Sequence, residues 1–186
     1  LKWAETADGF IAPLQRDSRN PVWITNKASR QLVHQWRAEE HAILVGTNTV
    51  VEDNPKLNVR SWEGGNPIRV IIDRTLKVPK ESYVYDQTIH TIVITEKEQD
   101  NEINLLFEKI DFSKSTTQQI CDVLYKHNVQ SVIVEGGTKT LQSFIDEGLW
   151  DEARVFIGDV SFKGGLEAPI INVNVAEQKE LGTDIL

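Results

Sequence analysis

The sequence predicts an α/β protein with a mostly parallel central sheet and helices on both of its faces. Three observations carry this. Short, nearly continuous apolar runs recur, as Ala42-Ile43-Leu44-Val45-Gly46, Ile68-Arg69-Val70-Ile71-Ile72-Asp73, Thr91-Ile92-Val93-Ile94-Thr95 and Val132-Ile133-Val134-Glu135; strands buried on both faces read this way. Segments with helical spacing of apolar residues alternate with them. The runs end in glycine or polar residues, at Gly46-Thr47, Asp73-Arg74, Thr95 and Glu135-Gly136-Gly137. Ligands of open parallel sheets gather at these carboxyl ends.

The elements follow in order. Leu1 to Ala12 reads as extended chain with a turn at Ala7-Asp8-Gly9, because Asp-Gly is a strong turn pair. Residues 13–21, with Pro13, Asn20 and Pro21, read as loop. Thr25 is the expected N-cap of a helix from about Asn26 to Glu40, with an apolar stripe of Ala28, Leu32, Val33 and Trp36. The run at 42–46 is a buried strand. A short helix over 47–53, capped by Thr47 or Asn48, ends before Asn54-Pro55. Strands at 68–73 and 91–95 flank a loop region, and the polar stretch 96–114 has no clear pattern. A helix at 116–127, a strand at 131–135, a helix at 138–147 stopped by Gly148, and a strand at 152–158 complete the ordered part. In the weakly patterned tail, Ile170 to Val173 is the best strand candidate.

Bulk properties bound the function. The 186 residues suit a single domain, 1–186, with no repeat, low-complexity segment or linker. The net charge of −8 argues against a nucleic-acid or anionic-membrane binder, yet allows a local basic pocket for a phosphorylated small molecule. Cys121 is the only cysteine, which excludes an intrachain disulfide and a cysteine zinc cluster and fits a reducing, cytoplasmic setting. No apolar run is long enough to span a bilayer. His34, His41, His90 and His127 share no ligand spacing, so no metal site is expected. The chain opens on Leu1 and has no methionine, which reads as a piece of a longer protein.

The stretch Val132 to Thr138 organises the rest. A β-branched strand runs into an acid, two glycines and a helix start, where free backbone N–H groups and the helix dipole suit an anion. Gly-Gly alone is more often an ordinary turn. The other polar strand ends are what make a binding crevice the better reading.

The ordered segments Lys2 to Gly9, Trp23-Ile24-Thr25, Arg37 with His41 to Gly46, Thr49 to Arg60, Pro67 to Asp73 and Val132 to Leu141 resemble the reductase domain of the bacterial riboflavin-biosynthesis deaminase/reductase. The resemblance implies a dihydrofolate-reductase-like fold and NADPH-dependent reduction of a phosphoribosylaminouracil to its ribitylamino product. It also implies a homodimer. The deaminase half of such proteins carries His-x-Glu and Pro-Cys-x-x-Cys signatures. Neither is present here, so the expectation is the reductase half alone, either the C-terminal part of a longer bifunctional chain, which the start at Leu1 favours, or a stand-alone enzyme.

The resemblance also implies roles. Ala4, Trp23, Thr49, Asp53, Arg74, Gly136, Gly137 and Thr138 are expected to contact the cofactor, with Arg74 at the 2′-phosphate that separates NADPH from NADH. Arg37, Leu57, Arg60 and Glu135 are expected to contact substrate, the arginines because a guanidinium can clamp phosphate. Lys2, Asp8 and Glu135 are the candidate catalytic residues. A lysine on an apolar strand needs a charged partner, which Asp8 or Glu135 could supply. One departure stands out: Pro21 occupies a place where the family often has a substrate-touching serine. It leaves room for a reductase of another pterin-like or nucleotide substrate; a non-catalytic nucleotide-binding module is the remaining alternative.

Overall fold

A computed structural model describes residues 1–15 and 22–186; Pro21 lies outside them. The chain runs β1 (Lys2–Thr6), β2 (Phe10–Pro13), α1 (Lys27–Glu39), β3 (Ala42–Gly46), α2 (Thr47–Asp53), β4 (Ile68–Ile72), β5 (Thr91–Thr95), β6 (Leu105–Lys109), α3 (Thr116–Lys126), β7 (Val132–Val134), α4 (Thr138–Asp146), β8 (Arg154–Gly158), β9 (Gly165–Glu167), β10 (Glu180–Leu181) and β11 (Asp184–Ile185). The central sheet has the order β6-β5-β4-β3-β7, and every pairing in it is parallel. A second sheet has the order β1-β8-β11-β10, and β2 pairs with β9.

Alternation along the central strands explains the two covered faces. Leu44, Val70, Ile92, Ile94 and Val134 share one apolar cluster with Ile120 and Leu124 of α3 and Leu141 and Phe144 of α4. Ile43, Val45, Ile71 and Ile133 share the other with Val33 and Trp36 of α1 and Val50 of α2. This is the sheet covered on both faces that the apolar runs demand. No helix among the described residues is long and apolar enough to cross a membrane.

Several local expectations change. The N-cap of α1 is Asn26, whose side chain accepts from Ser29 N, rather than Thr25. Its buried face is Ser29, Val33, His34 and Trp36, and Ala28 is exposed. The stripe is rotated because Ser29 Oγ donates to the buried Asp184 carboxylate at 2.6 Å, which also accepts from Asn26 N. α2 starts on Gly46 with no side-chain cap; Thr47 Oγ1 donates instead to the Ile72 carbonyl at 2.6 Å. Strand β6 forms inside the polar stretch 96–114 as the edge of the parallel sheet. Ile170 to Val173 is not a strand; the last pairings are β9, β10 and β11.

One buried charge ties a loop to the sheet. Arg69 on β4 donates from Nε to the Lys56 carbonyl, and from Nη1 to the Tyr83 carbonyl and Asp86. The segment 54–60, which carries Leu57 and Arg60, is therefore anchored through its backbone.

Candidate functional site

The carboxyl ends of β3 and β7 lie side by side, with Leu44 paired to Val134 and Glu135 N donating to the Leu44 carbonyl. What leaves those ends differs for each residue of the following turn. Glu135 turns into the protein. Its carboxylate accepts from Arg37 Nε at 2.9 Å and Nη2 at 2.6 Å, a two-pronged pair from the last turn of α1. The two side chains are 13% and 7% exposed, for Arg37 and Glu135 respectively. Burial alone would push the Glu135 carboxyl up. The charges of Arg37 and Lys2 and the Arg37 hydrogen bonds overcome this and hold it well below the usual carboxylate range. Burial also opposes the Arg37 charge, and Glu135 more than offsets it.

Lys2 joins this pair from β1. Its Nζ stands 5.9 Å from the centre of the Phe156 ring. Burial lowers its pKa, Glu135 resists that shift and Arg37 adds to it. Arg60 approaches from the 54–60 segment, exposed, with Nη1 donating to Asn58 Oδ1 at 3.1 Å. Burial and Arg37 both lower its pKa, against the pull of Glu135. Three cations thus surround one carboxylate, and the cluster has a net positive charge that suits an anionic ligand.

Gly136 and Gly137 serve different ends. A Cβ on Gly136 would lie 2.6 Å from the Val45 Cα, so this glycine lets the turn press against β3. Gly137 has φ +60°, would meet no clash at a Cβ, and is the N-cap of α4 with no side-chain hydrogen bond. The first N–H groups of α4 are therefore left without a capping side chain. Thr49 Oγ1 lies 3.6 Å from where that Cβ would be. Thr138 Oγ1 donates to the Glu167 carbonyl, which pins the helix start to β9. Beyond it, at the ends of β4 and β5, Thr47, Asn48, Asp73, Arg74, Thr75, Lys77 and Glu96 line a cavity of about 360 Å³. Arg74 is 60% exposed, paired with Glu96 at 2.7 Å and stacked 5.4 Å over Phe112. An uncapped helix start and a glycine turn, beside a polar cavity that carries Arg74 and Lys77 with Asp73 and Glu96, fit a phosphate-bearing nucleotide cofactor.

The remaining expected residues divide. Ala4 is partly buried in mid-β1, opposite Phe156. Trp23 is exposed, with the Arg30 guanidinium 4.5 Å over its ring. Asp53 closes α2. Leu57 has a buried side chain in the core and φ +49°, so its backbone is the part left to meet a ligand. Asp8 is engaged in the β1–β2 turn. Its carboxylate accepts from Thr6 Oγ1 at 2.5 Å, Ser161 Oγ at 2.6 Å and the N–H groups of Phe162 and Lys163. Hydrogen bonds from Ser161 and Thr6, chiefly, hold its pKa well below the ordinary aspartate value. It pins one loop to the β1–β2 turn.

Sequence reasoning missed His34, Thr75 and Lys77. The spacing of His34 to Arg37, three residues on one helix, was the available signal. A larger cavity, about 540 Å³, lies beside β7 and is lined by Leu1, Cys121, Val132, Phe144, Trp150 and Glu152, among others. The buried charges do not line it.

Residues 1–175 match the RibD C-terminal domain family. The chain belongs to that family. It is 36% identical over 183 residues to the riboflavin biosynthesis protein RibD of Aquifex aeolicus, covering 96% of this chain and 51% of that protein. It is 29% identical over 184 residues to the 2,5-diamino-6-ribosylamino-4(3H)-pyrimidinone 5′-phosphate reductase of Archaeoglobus fulgidus, covering 90% of this chain and 82% of that protein. Among solved structures, the deaminase/reductase of Thermotoga maritima superposes with a TM-score of 0.85 at 33% identity, covering 99% of this chain and 53% of the other. The chain thus spans about half the length of the RibD proteins it matches.

Proposed function

We propose that this RibD C-terminal domain reduces 5-amino-6-(5-phosphoribosylamino)uracil to its ribitylamino product with NADPH. The observation that carries the reading is the turn after β7. There a buried, ion-paired carboxylate is followed closely by an uncapped helix N-terminus, an arrangement that supports an anionic sugar substrate on one side of the turn and a nucleotide cofactor on the other. The Thermotoga maritima relative is named for this reaction, and the Archaeoglobus fulgidus relative for reduction of a related ribosylaminopyrimidinone phosphate; both support it.

NADPH supplies the hydride when bound. Gly137, Thr138 and the first N–H groups of α4 would hold its pyrophosphate, with Thr49 beside them, and Arg74 its 2′-phosphate. Ala4, Trp23 and Asp53 are proposed to border the cofactor. Arg37 keeps Nη1 for a ligand while Nε and Nη2 hold Glu135. With Arg60 it anchors the substrate 5′-phosphate, and the Leu57 backbone borders the same space. Glu135 accepts from a ribose hydroxyl or a uracil N–H. As C1′ of the ring-opened imine is reduced, the C=N electron pair moves to nitrogen, which needs a proton. Lys2, whose ammonium burial makes more acidic, donates it. We also propose a cytoplasmic homodimer, which light scattering would check.

The test is NADPH oxidation, followed by absorbance, with and without the phosphoribosylaminouracil. Turnover only with that compound supports the reading. Tight NADPH binding without turnover overturns it.

A further inference from the structure

α1 brings one more polar side chain to the charged cluster. His34 lies three residues before Arg37, so both leave the helix on one face. The residue is 6% exposed. Its Nδ1 is, among the described residues, the buried side-chain polar atom that lacks a hydrogen-bond partner. Such atoms are costly and uncommon in folded proteins, and each calls for a partner that binding could supply.

The charged groups facing the ring come from three elements. They are Arg37 on α1, Arg60 on the 54–60 segment and Glu135 after β7; Lys2 of β1 faces Arg37 and Glu135. None of them hydrogen-bonds Nδ1; Arg37 turns Nε and Nη2 to Glu135. Burial, then Arg37 and Arg60, push the imidazole down to about 4, against the pull of Glu135 and the Asn58 backbone. The ring is therefore neutral at physiological pH. Next to two guanidinium groups, the tautomer that presents a lone pair at Nδ1 is favoured over one that presents an N–H.

We infer that His34 Nδ1 accepts a hydrogen bond from a hydroxyl or N–H of the ligand whose anionic end Arg37 and Arg60 hold. This makes His34 a further substrate-binding residue and rests on the reading of that cluster as the substrate side. It selects phosphorylated ligands with a donor a short reach from the phosphate, ribose phosphates among them.

The experiment is calorimetric titration of the full chain with the phosphoribosylaminouracil, without NADPH. His34→Leu removes the acceptor. His34→Gln puts its polar atoms near the place of Nε2. His34→Asn puts Oδ1 near the place of Nδ1. Leu and Gln should weaken binding about tenfold, or roughly 1.4 kcal/mol, Asn should recover most of it, and the NADPH affinity of all three should match the parent. Should the leucine variant fail to fold, the Gln and Asn variants decide. Equal binding by parent and Gln overturns the inference, as does an Asn variant as weak as Gln. A parent that binds but does not reduce, with binding lost in Gln, sinks the reductase reading and keeps His34. A parent that reduces, with KM unchanged in Gln, sinks His34 alone. A parent that does not bind sinks both.

Discussion

The two sides of the Glu135-Gly136-Gly137 turn are built from different materials. On one side, Lys2, Arg37 and Glu135 are side chains from three elements that meet in a largely buried cluster. On the other, Gly137 and the start of α4 offer backbone N–H groups, and the outlying charge, Arg74, is exposed and already paired with Glu96. A charge in a low-dielectric cluster depends on each neighbour, whereas an exposed one is screened by water. Substitutions on the first side should therefore cost both stability and turnover. On the second, a change that disturbs the backbone should cost stability and cofactor affinity, and a change to an exposed side chain should cost cofactor preference with little loss of stability.

The largest effect is expected for Glu135→Gln. It leaves Arg37 and Lys2 without their counter-charge, so the fold should lose about 3–5 kcal/mol, and turnover should fall by about two orders of magnitude, the scale of removing a positioned electrostatic group. Thermal melts beside steady-state assays would separate the two; an unchanged melting temperature would break the comparison. Next comes Gly136→Ala. The added Cβ would stand 2.6 Å from the Val45 Cα, an overpacking worth about 1–3 kcal/mol. Gly137→Ala, with only an ordinary contact to Thr49 Oγ1 at 3.6 Å but at φ +60°, should cost about 1–2 kcal/mol from backbone strain alone. Denaturant midpoints would rank the pair.

Acid should act through the buried side. His34 is neutral in the folded chain down to about 4, against an ordinary value of 6.5. The unfolded chain takes up that proton first, so stability falls as pH drops from about 6.5 toward 4. Glu135 works in the same direction: its lowered pKa stabilises the fold above its ordinary value of 4.5, and that contribution is lost as pH falls. His34→Asn should flatten the first part of the decline, read as melting temperature between neutral pH and pH ~5. The smallest effect is expected for Arg74→Ala. Stability should change by less than about 0.5 kcal/mol, while the preference for NADPH over NADH, measured as the ratio of kcat/KM values, falls.

The same contrast decides what was legible in the sequence. β3, β4, β5 and β7 are buried on both faces, so each is a dense β-branched run that stands out. β6 is an edge strand with Glu108 and Lys109 at its end, and its pattern is lost among the charged residues around it. The rotation of α1 was hidden because its cause, Asp184, lies 155 residues from Ser29. Gly137 and Glu135 were visible as a glycine turn after an acid. The Arg37–Glu135 pair spans 98 residues, and nothing local to either residue announces it. For Asp8 an Asp-Gly turn and a catalytic acid look alike in the sequence, and the bonds from Ser161 and Lys163 to its carboxylate come from residues more than 150 positions away.

The division of the turn is tested most directly by titrating Glu135→Gln separately with NADPH and with the phosphoribosylaminouracil. The account expects NADPH affinity within about twofold of the parent and substrate affinity weakened about tenfold or more. Equal weakening of both ligands, in a variant that remains folded, would contradict it.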